Sequence, residues 1–471
     1  MAVVVSIDAG TTGVRSLAID EQGVVIGWKY REFTQHFPQP GWVEHDAVEI
    51  WDSVRGTLAD LVAELDAPIA AIGITDQRET IVAWDRSSGR PLARAIVWQD
   101  RRGAARCDEL ADAGLLPLVR ATTGLVLDPY FSATKIEWLH RHGGVTFDAN
   151  VAVGTIDSWL LWNLTGGTAA AGAVHATDVS NASRTMLFDI TSCAWSEELC
   201  DLFGVPLTAL PEVRPSAGRF GVTAANVPTG PGIPVSGIAG DQQSALFGQA
   251  CVRPGMTKNT YGTGSFVLMN VGDTVPEPSD GLLTTVAWSL PGSLLGAAST
   301  EVVTHYALEG AIFATGAAIQ WLRDGLQIID SAQSAGPIAE SVPDSGGVFV
   351  VPAFAGLGAP FWDPYARGTI VGLTRGSRRA HIVRAVVEAM AYQTRDVVDA
   401  MTAVCGRPVT ELRIDGGASA MNLLMHLVAD QLGVPVVRPT MKETTAIGAA
   451  YLAGLAEGVW ATVADLDAAW Q

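Results

Sequence analysis

The stretch "VVVSIDAGTTGVRSLAID", residues 3–20, decides the fold. An apolar, β-branched run leads to Asp8, a tight Gly-Thr turn follows, and a second strand leaves at Val14. The same plan returns in "GMTKNTYGTGSFVLMNVGD", residues 255–273. A strand–turn–strand unit that recurs in a chain of 471 residues predicts two related domains, because a single hydrophobic core does not grow that large. The Pro- and Gly-rich "VPTGPGIPV", residues 227–235, comes shortly before the second unit. A boundary near residue 245 is expected, with one domain over 1–245 and the other over 246–471.

Around these units α and β elements alternate. "GVVIGWKY" adds a third strand to the first meander, and "IAAIGIT" is a further buried strand. "HDAVEIWDSVRGTLADLVAELD" reads as an amphipathic helix with Ile50, Val54, Leu58, Leu61 and Leu65 on one face. Asp46 and Glu49 form a capping-box pattern at its start. The class predicted is α/β.

Composition narrows the function. Apolar residues make up 48% and charged residues 17%, which excludes a disordered chain. The formal net charge is −19, from 30 basic and 49 acidic side chains, which argues against a nucleic-acid partner. An anionic substrate would need local arginines or a metal ion to offset that field. The five cysteines include no C-x-x-C pair and read as free thiols in a reducing, cytoplasmic setting. No signal peptide opens the chain, and no apolar run is long enough to predict a membrane span.

Several familiar sites are excluded. The four lysines are Lys29, Lys135, Lys258 and Lys442, and none follows a glycine, so there is no P-loop. There is no G-x-S-x-G elbow, no H-E-x-x-H, and no G-x-G-x-x-G after a strand. His140 and His142 in "LHRHGG" suit a helix C-terminus better than a metal.

What remains is two Gly-Thr turns and a few carboxylates. Gly10, Thr11, Thr12 and Gly13 can aim N–H groups and hydroxyls at an anion, with Asp8 holding hydrated magnesium and Arg15 meeting phosphate. "YGTGS", residues 261–265, offers a second such turn. Either alone could be an ordinary hairpin turn. Together they suit a triphosphate clamped between domains. In "GITDQRETIVAWD", Asp76, Arg78 and Glu79 follow a buried strand, where α/β proteins bind ligands. They read as a polyol-binding cluster or as a solvated charge group. Trp98 in "IVWQDRR" and Tyr130 in "GLVLDPYF" could pack a polyol's carbon edge or simply belong to the core. Asp241, alone among small and apolar residues in "SGIAGDQQSALFGQ", residues 236–249, reads either as a helix N-cap or as a catalytic carboxylate.

These residues, with "PGWVEHDAVEIW", "GLVLDPYFSATKIEWL", "SNASRTMLFDI", "YALEGAIFATGAAIQWLRD", "VPAFAGLGAPFWDPYARGTIVGLTRG" and "IDGGASAMNLLM", resemble the FGGY carbohydrate kinases, in particular those acting on glycerol. The resemblance runs almost end to end. It implies two ribonuclease-H-like domains of the actin and hexokinase type around a catalytic cleft, polyol on the first domain and nucleotide on the second. It implies ATP and Mg²⁺ as cofactors, small-molecule partners only, and room for a homo-oligomer, dimer or tetramer.

By resemblance, Arg78, Glu79, Tyr130, Asp241 and Gln242 would hydrogen-bond glycerol, while Trp98 and Phe266 pack its carbons. Thr11, Thr12, Gly13 and Arg15 would meet the phosphates from one side, Thr263 and Gly264 from the other. Gly316, Gln320, Gly417 and Met421 would line the nucleotide pocket, Asp8 would hold magnesium, and Asp241 would be the general base. The implied reaction is ATP-dependent phosphorylation of glycerol to sn-glycerol 3-phosphate. Another polyol or ketose, such as erythritol or xylulose, and a catalytically silent sugar- or nucleotide-binding regulator are the alternatives.

The chain departs from the pattern at Ala9, where Gln is usual, at Gly13, where Ser is usual, and at Met421, where Asn is expected. Asp76 replaces an Asn and is expected to add a charge beside Arg78 and Glu79, which would favour a substrate other than glycerol. The loop at 227–235 has no Arg, so fructose bisphosphate, an inhibitor of some bacterial relatives, is expected to have little effect.

Overall fold

The computed structural model describes residues 2–363 and 365–470. Twelve strands and five helices of it position the site. The strands are β1 (Val3–Ala9), β2 (Gly13–Ile19), β3 (Val25–Glu32), β4 (Ile69–Asp76), β5 (Ala217–Val222), β6 (Pro234–Gly240), β7 (Thr257–Tyr261), β8 (Ser265–Gly272), β9 (Leu283–Pro291), β10 (Val302–Ile312), β11 (Leu412–Gly416) and β12 (Val436–Val437). The helices are α1 (Ala47–Val62), α2 (Asp241–Gly248), α3 (Gly316–Gln320), α4 (Arg379–Cys405) and α5 (Thr444–Ala456).

Two six-stranded sheets carry the fold, ordered β5-β6-β4-β1-β2-β3 and β9-β10-β8-β7-β11-β12. Each has the same kernel. An antiparallel hairpin, β1–β2 or β7–β8, lies beside a parallel strand, β4 or β11. Strand β1 is apolar on both faces because both faces of its sheet are covered, by α1 and by α5. The third strand of the predicted meander is β3, antiparallel to β2.

Helix α1 buries Ile50, Val54, Leu58 and Leu61, as its spacing predicts, while Leu65 lies past the helix end and is partly buried. The capping box is only half formed. Asp46 accepts from the Val48 N–H at 2.8 Å, but the Glu49 carboxylate accepts from the Thr34 N–H and hydroxyl instead. A neighbouring chain segment outbids the reciprocal bond.

Helices α2 and α5 form a shared apolar layer. Leu246 and Phe247 meet Ala446, Tyr451, Leu268 and Trp288, so one cluster draws on both sheets. The two helices approach backbone to backbone. A Cβ on Gly248 would stand 2.0 Å from the Thr444 carbonyl oxygen, and one on Gly448 would stand 1.9 Å from that of Ser244. No helix among the described residues is long and apolar enough to cross a membrane.

Register sets the chemistry. Ala9 of β1 pairs with Asp76 of β4, and Gly240 of β6 pairs with the same residue. Asp8, Asp76 and Asp241 therefore gather at the carboxyl ends of three adjacent parallel strands, the edge at which such sheets bind ligands. In the second sheet Tyr261 pairs with Gly416, which sets the "YGTGS" and "GGAS" turns side by side.

Candidate active site

Arg78 organises the first half of the site. Its Nε lies 3.2 Å from Asp241 Oδ1, its Nη2 donates to the Tyr130 hydroxyl at 3.2 Å, and its Nη1 donates to Glu309 Oε2 at 2.5 Å. The Nε–H is not aligned on the Asp241 oxygen and has no hydrogen-bond acceptor among the described residues. It is a buried donor beside a carboxylate. Glu79, next in the chain, adopts φ 61°, a backbone state that costs a non-glycine residue of order 1–3 kcal/mol and that clusters at ligand sites. Arg184 holds it there through a 2.7 Å bond from Nε to Glu79 Oε1.

Arg78, Arg184, Glu79 and Glu309 form a buried quartet, two guanidiniums against two carboxylates. Glu309, on β10 of the second sheet, is fully buried. Burial works against its ionisation, but Arg184 and Arg78 more than compensate and bring its pKa down to about 2. Glu79 is moved the other way, upward, because burial outweighs the same two arginines. Arg184 and Glu309 were not anticipated. The available signal was an isolated acid in the apolar strand "YALEGAIF" and an isolated base in "SNASRTML", each costly to bury without a partner.

Aromatic rings wall the cluster. Trp98 and Tyr130 meet edge to face at 5.6 Å, and Phe266 presents its ring 5.9 Å from the Arg78 guanidinium. Lys135, buried, donates to the carbonyls of Pro129, Tyr130 and Phe131, which fixes the loop bearing Tyr130.

Asp241 is not an N-cap. Helix α2 starts at Asp241 itself, so the cap position is Gly240, which has no side chain to offer. Among the described residues its Oδ1 accepts a hydrogen bond only from the N–H of its neighbour Gln242, at 2.7 Å. Strand β6 runs into the helix without an intervening loop, which leaves the carboxylate uncommitted to capping and beside Arg78. Burial of its surroundings raises its pKa, and the Arg78 and Lys258 cations oppose that rise.

Asp76 departs from expectation too. It is fully buried. It accepts from Asn181 Nδ2 at 3.1 Å and from the Asp157 N–H at 3.3 Å. Burial, then the nearby Asp157, raises its pKa well above the carboxylate range. The carboxyl is bonded to Asn181 and Asp157 rather than to the Arg78–Glu79 pair, and Asp241 is among the acids that raise its pKa.

The phosphate-side residues sit on the two turns. Asp8 pairs across the hairpin with Arg15, their side chains 3.8 Å apart. Arg15 is engaged by Glu443 and lies beside the Trp28 and Tyr30 rings. Burial raises the Asp8 pKa to about 7; Arg15 opposes the rise in part, while the Asp241 and Glu443 carboxylates add to it. Thr11 bridges the two halves of the site by accepting from Trp98 Nε1 at 2.9 Å, and Thr12 lies exposed 3.5 Å from the Tyr30 hydroxyl. At Gly13 a Cβ would stand 2.6 Å from that hydroxyl, so Tyr30 occupies the space a serine would need. The methyl of Ala9 is buried, and the carboxamide at this corner comes from Gln77, which donates to the Gly10 carbonyl at 3.0 Å.

The second turn, Gly262–Gly264, is braced by α3. The Gly316 N–H donates to Gly262 O at 3.1 Å and the Ala317 N–H to Thr263 O at 2.9 Å, leaving the Thr263 side chain exposed. Gln320 ends α3 with its side chain exposed. Gly417 is exposed in the turn after β11, and Met421 packs against the apolar cluster of Ala335 and Leu424. No hydrogen bond among the described residues joins Gln320, Gly417 or Met421 to the Arg78–Asp241 cluster.

A divalent cation fits this donor set on chemical grounds. Asp8 is a hard oxygen ligand with no close donor, and no group of three or more His, Cys, Asp or Glu gathers as a metal cage among the described residues. A single carboxylate, with substrate phosphates and water supplying the rest, is the usual setting for Mg²⁺ rather than a transition metal.

Comparison with known proteins agrees with this architecture. Residues 3–248 match the N-terminal domain of the FGGY family of carbohydrate kinases and residues 257–457 its C-terminal domain. A glycerol kinase of Carboxydothermus hydrogenoformans is 55% identical, over 99% of this chain and 92% of its own length. Glycerol kinase 2 of Thermotoga maritima is 53% identical, over 100% and 93%. The crystal structure of Plasmodium falciparum glycerol kinase with ADP superposes with a TM-score of 0.92 at 35% identity, covering 99% of this chain and 92% of that one. A xylulose kinase of Rhodospirillum rubrum superposes with a TM-score of 0.85 at 25% identity. With both halves of the family matched in order along one chain, and relatives above half identity across its length, the protein belongs to the FGGY family of carbohydrate kinases.

Proposed function

We propose that the protein transfers the γ-phosphoryl group of ATP to a terminal hydroxyl of glycerol, forming sn-glycerol 3-phosphate. The observation that carries this reading is the uncapped Asp241 carboxylate beside the unsatisfied Arg78 Nε–H, walled by Trp98, Tyr130 and Phe266. Small hydroxyl groups need donors and acceptors together, and a short carbon edge needs aromatic faces. The naming of the full-length relatives as glycerol kinases supports glycerol among polyols.

In this mechanism Asp241 accepts the proton of the attacking hydroxyl. Arg78 and Glu79 orient the remaining hydroxyls, with Tyr130 and Gln242 beside them. The Gly-Thr turns at 10–13 and 262–264 hold the phosphate chain by backbone N–H groups and hydroxyls, and Arg15 leaves Glu443 to meet its charge. Met421, Gln320, Gly316 and Gly417 line the nucleotide side. Asp8 would hold Mg²⁺, which would supply charge neutralisation on the transferred group. Closure of the cleft excludes water as a competing acceptor. The five unpaired cysteines suit a reducing, cytoplasmic setting.

The test is a panel of glycerol, erythritol, xylulose and related compounds, each assayed by ADP release. Glycerol is expected to give the highest kcat/KM, since a site that pairs with substrate hydroxyls rejects analogues that leave its groups unpaired. A better four- or five-carbon substrate overturns the choice of glycerol. A protein that releases no ADP with any of them favours the silent-regulator alternative.

A further inference from the structure

An ammonium group is buried behind the polyol-facing amide. Lys258 lies on β7 with 0% exposure. Its Nζ donates to Gln242 Oε1 at 2.5 Å and to Thr260 Oγ1 at 2.8 Å. The charged groups that face it come from four elements: Asp415 on β11, Arg78 after β4, Asp241 on α2 and Glu309 on β10. Three carboxylates and one guanidinium thus surround a cation that touches none of the substrate groups assigned above except Gln242.

An ammonium has donors only, so the end of the carboxamide that meets it is the carbonyl oxygen. The Gln242 NH₂ group is left as the free end, and among the described residues it has no protein acceptor. We infer that Lys258 is a positioning residue for the polyol, fixing the Gln242 carboxamide so that its NH₂ group is the end offered to a substrate hydroxyl. The inference rests on the reading of this cleft as the polyol site. It assigns a role to the strand before the "YGTGS" turn: β7 carries the phosphate turn at its end and orients the acceptor's partner from its middle. Burial holds the Lys258 pKa down to about 8, while Asp415, Asp241 and Glu309 pull it up and Arg78 pushes it down. Above that pH the neutral amine has a lone pair, can accept from the amide, and no longer dictates which end faces the substrate.

The experiment follows KM for glycerol and for ATP from pH 7 to 9.5 in the wild type, Lys258→Met and Gln242→Met, with a thermal melt of each. In the wild type, kcat/KM for glycerol falls above about pH 8 while KM for ATP holds. Lys258→Met raises KM for glycerol about tenfold to a hundredfold, the usual loss for a hydrogen bond to a charged group, and lacks the alkaline fall. Gln242→Met keeps the lysine but has no amide to orient, and it also lacks the alkaline fall; it decides the matter if Lys258→Met does not fold. A flat wild-type profile, a folded Lys258→Met with unchanged KM for glycerol, or an alkaline fall that survives in Gln242→Met overturns the inference. A wild type inactive on glycerol and every other polyol overturns the functional reading instead.

Discussion

Asp241→Asn separates chemistry from folding at the one carboxylate on which the mechanism turns. Asparagine has the same size and keeps one acceptor oxygen, so the 2.7 Å bond from the Gln242 N–H survives. Gly240, not Asp241, occupies the cap position, so no capping bond is lost. What is lost structurally is a negative charge in the first turn of α2, worth about 0.3–1 kcal/mol at a helix N-terminus. Arg78 loses its 3.2 Å ion pair with Asp241 but keeps Glu309 and Tyr130 as partners, so its charge stays compensated. For a chain of 471 residues, an unfolding entropy of about 2 cal/mol/K per residue converts that loss to roughly 1 °C or less in Tm. The catalytic loss is of another order. A general base contributes about 10²–10⁴ in rate, equivalent to about 3–5 kcal/mol of barrier. The assay is kcat at saturating ATP and glycerol, beside melts of both proteins. Turnover within about threefold of wild type refutes Asp241 as the base. A melting point lowered by many degrees refutes the structural half, and shows that the carboxylate holds α2 in place.

Two further substitutions test the surroundings. Asp76→Asn leaves KM for glycerol within about twofold, because Asp76 faces Asn181 and Asp157 rather than the polyol cluster. It also flattens the pH dependence of stability. Asp157 has its pKa raised to about 7 and Asp76 is raised as well, both chiefly by burial. The folded state therefore holds protons that the unfolded state releases near pH 4, and stability falls as pH rises from there towards 7. Melts between pH 5 and 8 check this; an equal slope in the variant counts against it. Glu443→Gln frees Arg15 from its ion pair and lowers KM for ATP by up to about fivefold, the ceiling for a half-exposed pair worth 0–1 kcal/mol. An unchanged or raised KM for ATP means that Arg15 does not leave Glu443 to bind phosphate.

The two-sheet plan was legible because it rests on local periodicity. Buried strands announce themselves as β-branched runs, and the recurrence of strand, Gly-Thr turn and strand marks the two sheet kernels. Arg78, Glu79, Tyr130 and Asp241 were legible through the family resemblance, and the structure brings them together around one guanidinium. Arg184, Glu309 and Lys258 were not. They are single charges, Glu309 in an apolar strand and Arg184 and Lys258 among Ser, Thr and Asn, and the bonds Arg184–Glu309, Glu309–Arg78 and Lys258–Gln242 span 125, 231 and 16 residues of chain. No window of sequence contains such a pairing. Burial alone makes it compulsory, because an unpaired charge in that setting costs several kcal/mol. The half-formed capping box at Asp46 has the same cause: Glu49 is captured by Thr34, a segment that local rules do not see.

Asp8, Asp76 and Asp241 show why position in a sheet does not by itself assign a role. All three gather at the ends of adjacent parallel strands, at the edge where ligands bind. Their chemistry diverges through their partners. Asp76 is enclosed by Asp157, Asp178 and Asn181, where like charges and burial favour the protonated form. Asp241 has Arg78 and Lys258 to support its ionised form, as a base requires. Asp8 stands between: its one cation, Arg15, is shared with Glu443, and its pKa rests near 7. A carboxylate held at that balance would take up the proposed divalent cation by giving up a proton it holds only weakly. The carboxyl that Asp76 brings in place of a neutral side chain is bonded to Asn181 and Asp157, away from the Arg78–Glu79 pair, yet its protonation is linked to Asp241, which is among the acids that raise its pKa.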